Sequence, residues 1–298
     1  MHRSGFINII GHPNVGKSTL MNALVGERMS IITNKPQTTR HRIIGILSGE
    51  DFQMVLSDTP GVVDKPAYKM HQAMNSFVQS TFEDADLMLL VTDVLETYPP
   101  EDHLLAQLRK QQEIPMFVVL NKIDLVDEEK LAQLQQFWAE QLPQATLIPI
   151  SALQKTNTDV LLNTLKENLP EGPEYYPKDQ LTDRPERFFM SEIIREKIML
   201  LYHQEIPYAT QVIIEEFKED KTVGGKAIAR ISATIFVERD TQKSILIGKN
   251  GVSIKKLGTD ARQDMEIFLE KKVFLELFVK VKENWRNDDY FLKQFGYK

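Results

Sequence analysis

The sequence predicts two domains in series: an α/β domain built on an open, mostly parallel sheet with helices on both faces, then an α+β domain whose sheet is covered on one side. Three observations carry that reading. Apolar runs alternate with helical stretches from Phe6 to Ile150, the pattern of βα units. The stretch Pro170-Glu171-Gly172-Pro173-Glu174-Tyr175-Tyr176-Pro177 breaks that pattern with three prolines and no periodicity. Beyond it the order becomes helix, strand, strand, glycine turn, helix, strand. The expected boundaries are residues 1–168 for the first domain, 169–186 for a stiff linker and 187–298 for the second domain.

Composition sets limits. The chain has 298 residues, 42% hydrophobic and 26% charged, with no cysteine. No disulfide framework or thiolate metal site is available. No apolar run approaches the ~20 residues that span a bilayer. Met1-His2-Arg3-Ser4 leads straight into the first apolar run, so no signal peptide is expected, and the expected compartment is the cytoplasm. The net charge of −6 divides into −8 over residues 1–184 and +2 over 185–298, a difference too modest to decide anything alone.

In the first domain, Phe6–Ile10 is an apolar strand and Gly11-His12-Pro13-Asn14-Val15-Gly16-Lys17-Ser18-Thr19 follows it. A helix is expected over Lys17–Val25, ended by Gly26. Strand, G-x-x-x-x-G-K-S and helix in that register make an anion nest from Gly11, Asn14, Val15, Gly16 and Thr19, with the helix N-terminus aimed at the same point. Lys17 reaches the outer phosphates of a nucleoside triphosphate, and the Ser18 hydroxyl is placed to ligate Mg²⁺. The stretch Lys35-Pro36-Gln37-Thr38-Thr39-Arg40 reads as a loop ordered by the γ-phosphate, with Thr38 and Thr39 facing the nucleotide and Thr39 the preferred metal ligand.

Strands expected near 42–47 and 52–57 lead to Asp58-Thr59-Pro60-Gly61. Asp58 supplies a carboxylate for Mg²⁺, and Gly61 lets a backbone N–H approach the γ-phosphate. Strands over 87–92 and 116–120, with a helix near 101–111 between them, deliver Asn121-Lys122-Ile123-Asp124. Asp124 accepts both the ring N–H and the exocyclic amine of guanine, a pair that adenine does not offer. The strand at 146–150 ends in Ser151-Ala152-Leu153, whose backbone N–H meets the guanine carbonyl. The cofactors implied are GTP or GDP with Mg²⁺, and the candidate catalytic residues are Lys17, Thr39 and Gly61.

These four motifs, in order at four strand ends, resemble the bacterial translation-factor-like GTPases. Pro36-Gln37-Thr38-Thr39-Arg40-His41 looks like the Era branch of that group. One departure from the Ras-like pattern stands at Val62, where those proteins carry a water-orienting glutamine. An alkyl side chain neither donates nor accepts a hydrogen bond, so slow intrinsic hydrolysis is expected. Arg40 reads as a solvated charge of the loop rather than an arginine finger.

In the second domain, a helix is expected over 188–203, strands over 210–218 and 227–238, a short apolar segment 244–247, a helix over 252–270 and a strand over 273–282. Ile247-Gly248-Lys249-Asn250-Gly251 forms a tight turn that a phosphodiester backbone can lie against, meeting N–H groups and the Lys249 amine. Lys243, Lys249, Lys255, Lys256 and Arg262 face only Asp260 between 243 and 262. The element order around this turn resembles the bacterial, type II, KH fold. The Era resemblance then extends across the whole chain through Ala261–Met265 and Leu275–Trp285. It implies a P-loop GTPase domain followed by a KH domain that binds the 3′ end of 16S ribosomal RNA and assists assembly of the 30S subunit. It also implies peripheral association with the inner membrane. The tail Tyr290–Phe295 is short, and packing on the KH sheet suits it better. A monomer is expected. The rival readings are a signalling or membrane-linked GTPase whose second half binds protein, and a metabolic kinase, for which no acceptor site is visible. GTP and RNA binding are expected to be linked.

Overall fold

The computed structural model describes residues 2–63, 65–99, 102–111, 113–221 and 227–297. They form two compact units: residues up to Lys65 with Met74–Asp183, and Pro66–Ala73 with Arg184 onward.

The first unit is a six-stranded sheet. Its strands are β1 (Arg3–Ile10), β2 (Ile43–Ser48), β3 (Phe52–Asp58), β4 (Leu87–Asp93), β5 (Met116–Asn121) and β6 (Thr146–Pro149), ordered β2-β3-β1-β4-β5-β6. All neighbours are parallel except the β2–β3 hairpin at one edge. Central strands covered on both faces should be apolar throughout, and β4 (LMLLVTD) is buried along all but its last residue. The helices are α1 (Lys17–Val25), α2 (Lys69–Ser80, of which Met74 onward belongs to this unit), α3 (His103–Leu108), α4 (Glu128–Gln141) and α5 (Thr158–Asn168). On one face Met88, Leu90, Val118 and Leu120 pack with Trp138 and Leu142 of the α4 region. Because β1, β3, β4, β5 and β6 run the same way, their carboxyl ends lie along one edge, and the ligand loops leave from there.

Residues 169–183 are not a free linker. Their proline content keeps them out of regular structure, but side-chain and backbone bonds dock them on the first unit. Gln53 of β3 is fully buried. Its Oε1 accepts from the N–H groups of Tyr175 and Tyr176 at 2.8 and 3.0 Å, and its Nε2 donates to the Tyr176 carbonyl at 2.8 Å and to Ser48 Oγ at 3.0 Å. The Ile46 N–H donates to the Leu181 carbonyl at 2.8 Å and the Thr182 hydroxyl to the Ile44 carbonyl at 2.6 Å, covering the edge of β2. Residues up to Asp183 cluster with the first unit, which thus takes in most of the stretch expected as a linker over 169–186.

The second unit holds α6 (Glu186–Leu201), the single turn α7 (Ile206–Ala209), β7 (Gln211–Lys221), β8 (Ala227–Val237), α8 (Asp240–Ile247), α9 (Val252–Leu269), β9 (Lys272–Val281) and α10 (Asp289–Gln294). The sheet order is β7-β8-β9, antiparallel then parallel. Ala229, Ile231, Ala233 and Ile235 of β8 are buried, as alternation required. The apolar segment 244–247 is the end of a helix: Gln242 Oε1 accepts the N–H groups of Glu238 and Arg239 at 2.9 and 3.1 Å and starts α8 upstream of the apolar residues. The tail packs on this unit, with Phe295 against Phe236 (ring centroids 5.5 Å) and Trp285 (5.4 Å). Residues 66–73 join it too: Arg286 lies over the Tyr68 ring at 3.8 Å, and the Lys69 N–H donates to Asn287 Oδ1 at 3.1 Å.

Gln53→Leu strands three backbone groups and a hydroxyl. We expect a loss of about 2 kcal/mol in urea unfolding and new chymotryptic cleavage after Tyr175 or Tyr176. An unchanged midpoint with the segment still protected would show that the docking does not depend on Gln53.

Candidate functional site

The phosphate loop runs from the buried end of β1 into α1. Gly16 lies at φ +99°, and a Cβ there would stand 2.2 Å from Asn121 Nδ2. Glycine is required on both counts. Turning the loop N–H groups inward turns its carbonyls outward, and side chains meet them. Lys17 Nζ donates to the carbonyls of Gly11 and His12 at 2.8 and 2.7 Å. Lys122 Nζ donates to the Asn14 carbonyl at 3.0 Å, and Asn121 Nδ2 to the Val15 carbonyl at 2.8 Å. Asn121 Oδ1 in turn accepts from the Ala152 N–H at 2.9 Å, joining the loop, the end of β5 and the end of β6. Lys122 also pairs with Asp93 at the end of β4.

Three oxygens converge beside α1. Ser18 Oγ lies 2.6 Å from Asp58 Oδ2 and 2.9 Å from Thr39 Oγ1. Thr38 Oγ1 instead donates to the Lys35 carbonyl at 2.6 Å and sits 2.6 Å from Thr33 Oγ1. Asp58 is wholly buried, and its Oδ1 makes no hydrogen bond. Burial pushes its carboxyl pKa up, against the opposing Ser18 hydrogen bond and the charge of Lys17. Burial likewise pulls Lys17 down to about 8, against the charges of Asp58 and Glu96. A buried ammonium and a buried carboxylate with an orphaned oxygen fit a phosphate chain and a hard cation. No cluster of three or more His, Cys, Asp or Glu suited to a metal occurs among the described residues. Hydroxyls and phosphate oxygens would therefore complete the set.

A cleft of about 410 Å³ opens over these groups, lined by the loop, Thr38, Thr39, Gly61, Asn121, Lys122, Asp124 and Leu153. Gly11, Val15, Asp58, Ser151 and Ala152 do not line it. Sequence reasoning missed Ile31, Ile32, Thr33 and Asn34, which also line it. Asn22 holds their approach, accepting from the N–H groups of Met29 and Ser30 at 2.9 Å each. No sequence motif marks this contact. A Cβ on Gly61 would come within 2.7 Å of the Pro13 ring, so glycine lets that turn close on the phosphate loop. Val62 has no polar side chain, while Asn75 of α2 brackets the next residue through both Val63 backbone groups at 2.9 Å. Arg40 is not solvated: it is fully buried, so it is not the exposed loop charge that its setting suggested.

In the second unit, Gly248 (φ +72°), Asn250 (φ +53°) and Gly251 (φ +75°) make the turn between α8 and α9. Lys249 and Asn250 are exposed at its tip. Tyr202 OH donates to the Leu246 carbonyl at 2.9 Å, fixing the end of α8, and its burial raises the phenol to about 12. Beside the turn a groove of about 320 Å³ runs between α9 and β9, lined by Ile254, Lys255, Gly258, Thr259, Arg262, Leu275 and Leu277. Lys255 and Arg262 reach it as expected. Lys256 does not line it and pairs with Asp260 at 3.3 Å, while Arg262 also bonds Glu266 at 2.9 Å. Gly258 was not singled out in the sequence. Its missing side chain keeps the floor open opposite Leu277.

A P-loop GTPase unit followed by a KH unit is the class these features define. Residues 6–122 match the family model described as 50S ribosome-binding GTPase, and residues 205–286 match that of the KH domain. The chain is 47% identical to GTPase Era of Syntrophus aciditrophicus over 297 residues, covering all of this chain and 96% of that one. It is 46% identical to GTPase Era of Clostridium kluyveri over the full length of both. The chain belongs to the Era GTPase family. Among solved structures it is similar to an Aquifex aeolicus Era variant bound to GDP and AlF₄⁻, with TM-score 0.92, 36% identity and 99% of both chains covered. It is similar also to Era in complex with MgGDPNP and nucleotides 1506–1542 of 16S ribosomal RNA, with TM-score 0.93 and 36% identity over 100% and 99% of the chains.

Gly16→Ala places a methyl where the Asn121 amide sits and strains the backbone. We expect a loss of about 3 kcal/mol in urea unfolding, from left-handed strain and the disturbed Asn121 bonds. An unchanged midpoint would mean that Asn121 moves aside at no cost.

Proposed function

We propose that this chain is a GTP-hydrolysing switch that binds the 3′ end of 16S ribosomal RNA through its KH unit and assists maturation of the 30S subunit. One observation carries the reading: a cleft built for Mg²⁺ and a guanine nucleotide and a KH groove occur together in a chain that covers, end to end, a relative solved with both ligands. In the cleft, Lys17 and the inward N–H groups of Gly11–Thr19 hold the phosphates. Ser18, Thr39 and Asp58 would hold the cation, which when bound supplies charge neutralisation at the β- and γ-phosphates. The Ser18–Thr39 contact favours Thr39 over Thr38 as the ligand. Gly61 offers its N–H to the γ-phosphate. Asp124 reads guanine, with Asn121, Lys122 and the Ser151-Ala152-Leu153 turn shaping the base site.

Val62 leaves water placement to a backbone group or a partner, so turnover by the chain alone is slow, well under the roughly 5–20 s⁻¹ of a GTPase completed by its activator. In the second unit the Gly248–Gly251 turn meets the phosphodiester backbone, and bases lie in the groove over Gly258 between α9 and β9, roughly four nucleotides in all. Lys249, Lys255 and Arg262 supply the phosphate contacts. Lys256, which does not line the groove and pairs with Asp260, contributes less.

The sequence from Gly61 to α2 ties the two activities. Pro66–Ala73, which follow Gly61 in sequence, belong to the second unit. Nucleotide state and RNA affinity are therefore linked, each shifting the other equally. The working form is a cytoplasmic monomer. No helix among the described residues is long and apolar enough to cross a membrane, so contact with the inner membrane would be peripheral.

Crosslinking the chain to RNA in cells and sequencing the bound fragments should give a cluster at the 3′ end of the small-subunit RNA; scattered reads would defeat the proposal. Asp124→Asn replaces an acceptor with a donor, so affinity should fall for GTP by about 10⁴-fold and rise for xanthosine triphosphate, whose ring carries a carbonyl at that place. Retained GTP selectivity in a nucleotide-binding assay would remove Asp124 from this role. For RNA, log affinity should fall with log salt at about −0.7 per phosphate contact, and Lys249→Glu should flatten that slope by about one contact. A flat response in the unaltered chain would favour a protein-binding second domain.

A further inference from the structure

His12 occupies the second position of the phosphate loop, and its imidazole lies between two carboxylates, none of the three lining the nucleotide cleft. Nδ1 is 2.7 Å from Glu96 Oε1, and Nε2 is 3.0 Å from Asp102 Oδ2. The ring stacks on Tyr98 at 4.8 Å, and Tyr98 OH donates to the other Glu96 oxygen at 2.8 Å. Tyr98 is in turn edge-on to the buried Trp138 at 4.9 Å. Asp102 is itself fixed, because its other oxygen caps α3 by accepting from the Leu105 N–H at 2.8 Å. None of these side chains lines the cleft, and His12 stands at a position of the phosphate loop that its motif leaves open.

We propose that His12, as the imidazolium, is a positioning residue for the phosphate loop, clamping its entry to the β4–α3 connection through Glu96 and Asp102. A neutral imidazole has one N–H and can serve only one of the two carboxylates; its bare nitrogen would face the other, lone pair to lone pair. The imidazolium satisfies both. The clamp acts on phosphate binding through the His12 carbonyl, which accepts from Lys17 Nζ at 2.7 Å. It joins two pins already described, Lys122 on the Asn14 carbonyl and Asn121 on the Val15 carbonyl. Residues 12, 14 and 15 are then each tied to the carboxyl end of β5 or to the connections that follow β4 and β5.

Every charged group facing the ring bears on its titration. Burial lowers the His12 pKa, as does the charge of Lys17, but the Glu96 hydrogen bond and the charges of Glu96 and Asp102 outweigh them, so it stands above 6.5. Tyr98 stays protonated, raised by burial and by Glu96, Asp102 and Asp93. The sign follows. A group raised in the folded state keeps its contribution at low pH and loses it as pH climbs through the raised value. The clamp is complete below pH 6.5 and opens above the His12 pKa, and phosphate affinity weakens with it.

The test rests on the cleft being a nucleotide site and uses a fluorescent GDP analogue with Mg²⁺, titrated against the full chain from pH 5.5 to 9. The unaltered chain should lose about tenfold in affinity across the His12 transition. His12→Arg keeps a permanent cation between the carboxylates and should bind tightly without that limb. His12→Ala should bind about tenfold more weakly at pH 6 and also lack the limb. Lys17 is common to all three, so any loss it causes at high pH cancels in the comparison. NMR of the ring nitrogens should place the His12 pKa above 6.5 and move it higher on GDP binding. Superimposable profiles for the unaltered chain and His12→Arg, or a His12 pKa indifferent to GDP, would overturn the clamp while leaving the nucleotide site intact. Failure of the unaltered chain to bind GDP at all would sink both.

Discussion

A loop that turns its N–H groups toward an anion must turn its carbonyls away from it, and buried carbonyls need donors. The first unit of this chain is organised by that constraint. Lys17 serves Gly11 and His12, Lys122 serves Asn14, and Asn121 serves Val15. The donors come from α1 and from the carboxyl end of β5, which is why the parallel sheet matters: it brings strand ends that are a hundred residues apart in sequence to one edge. The same Asn121 holds the Ala152 N–H, so the phosphate loop and the Ser151–Leu153 turn are joined through one side chain.

That construction was legible in part. The phosphate loop, Asp58-Thr59-Pro60-Gly61, Asn121–Asp124 and Ser151–Leu153 stand where the alternating pattern put them, because their spacing is dictated by strand ends. Helix α1 matches its expected bounds, with the left-handed Gly26 closing it. The second domain was legible through the alternation of β8 and the glycine turn at 248–251, which has the positive φ angles that glycine permits.

The rest was hidden for a common reason: single polar residues acting over long sequence distances leave no pattern. Gln53 looks like an interruption of an apolar strand, yet it anchors a segment more than 120 residues away, and so the proline-rich stretch belongs to the first unit. Arg40 looks like a surface charge and is buried. The groove floor at Gly258 is an absent side chain, which only the facing Leu277 reveals. Helix α8 was underestimated because its start is set by a polar cap at Gln242 and only its end is apolar. His12 has no expected partner in sequence, and its two carboxylates come from a connection more than 80 residues downstream.

The first unit holds the cleft over the phosphate loop, and the second, to which Pro66–Ala73 belong, holds the groove between α9 and β9. The central claim is that the first reports to the second. The most direct measurement is the affinity of the full chain for RNA carrying the 3′ end of 16S ribosomal RNA, taken once with GDP and once with a non-hydrolysable GTP analogue at fixed salt. The account predicts affinities that differ by about fivefold or more, the usual floor for a coupled pair of sites. Equal affinities in the two states would contradict it.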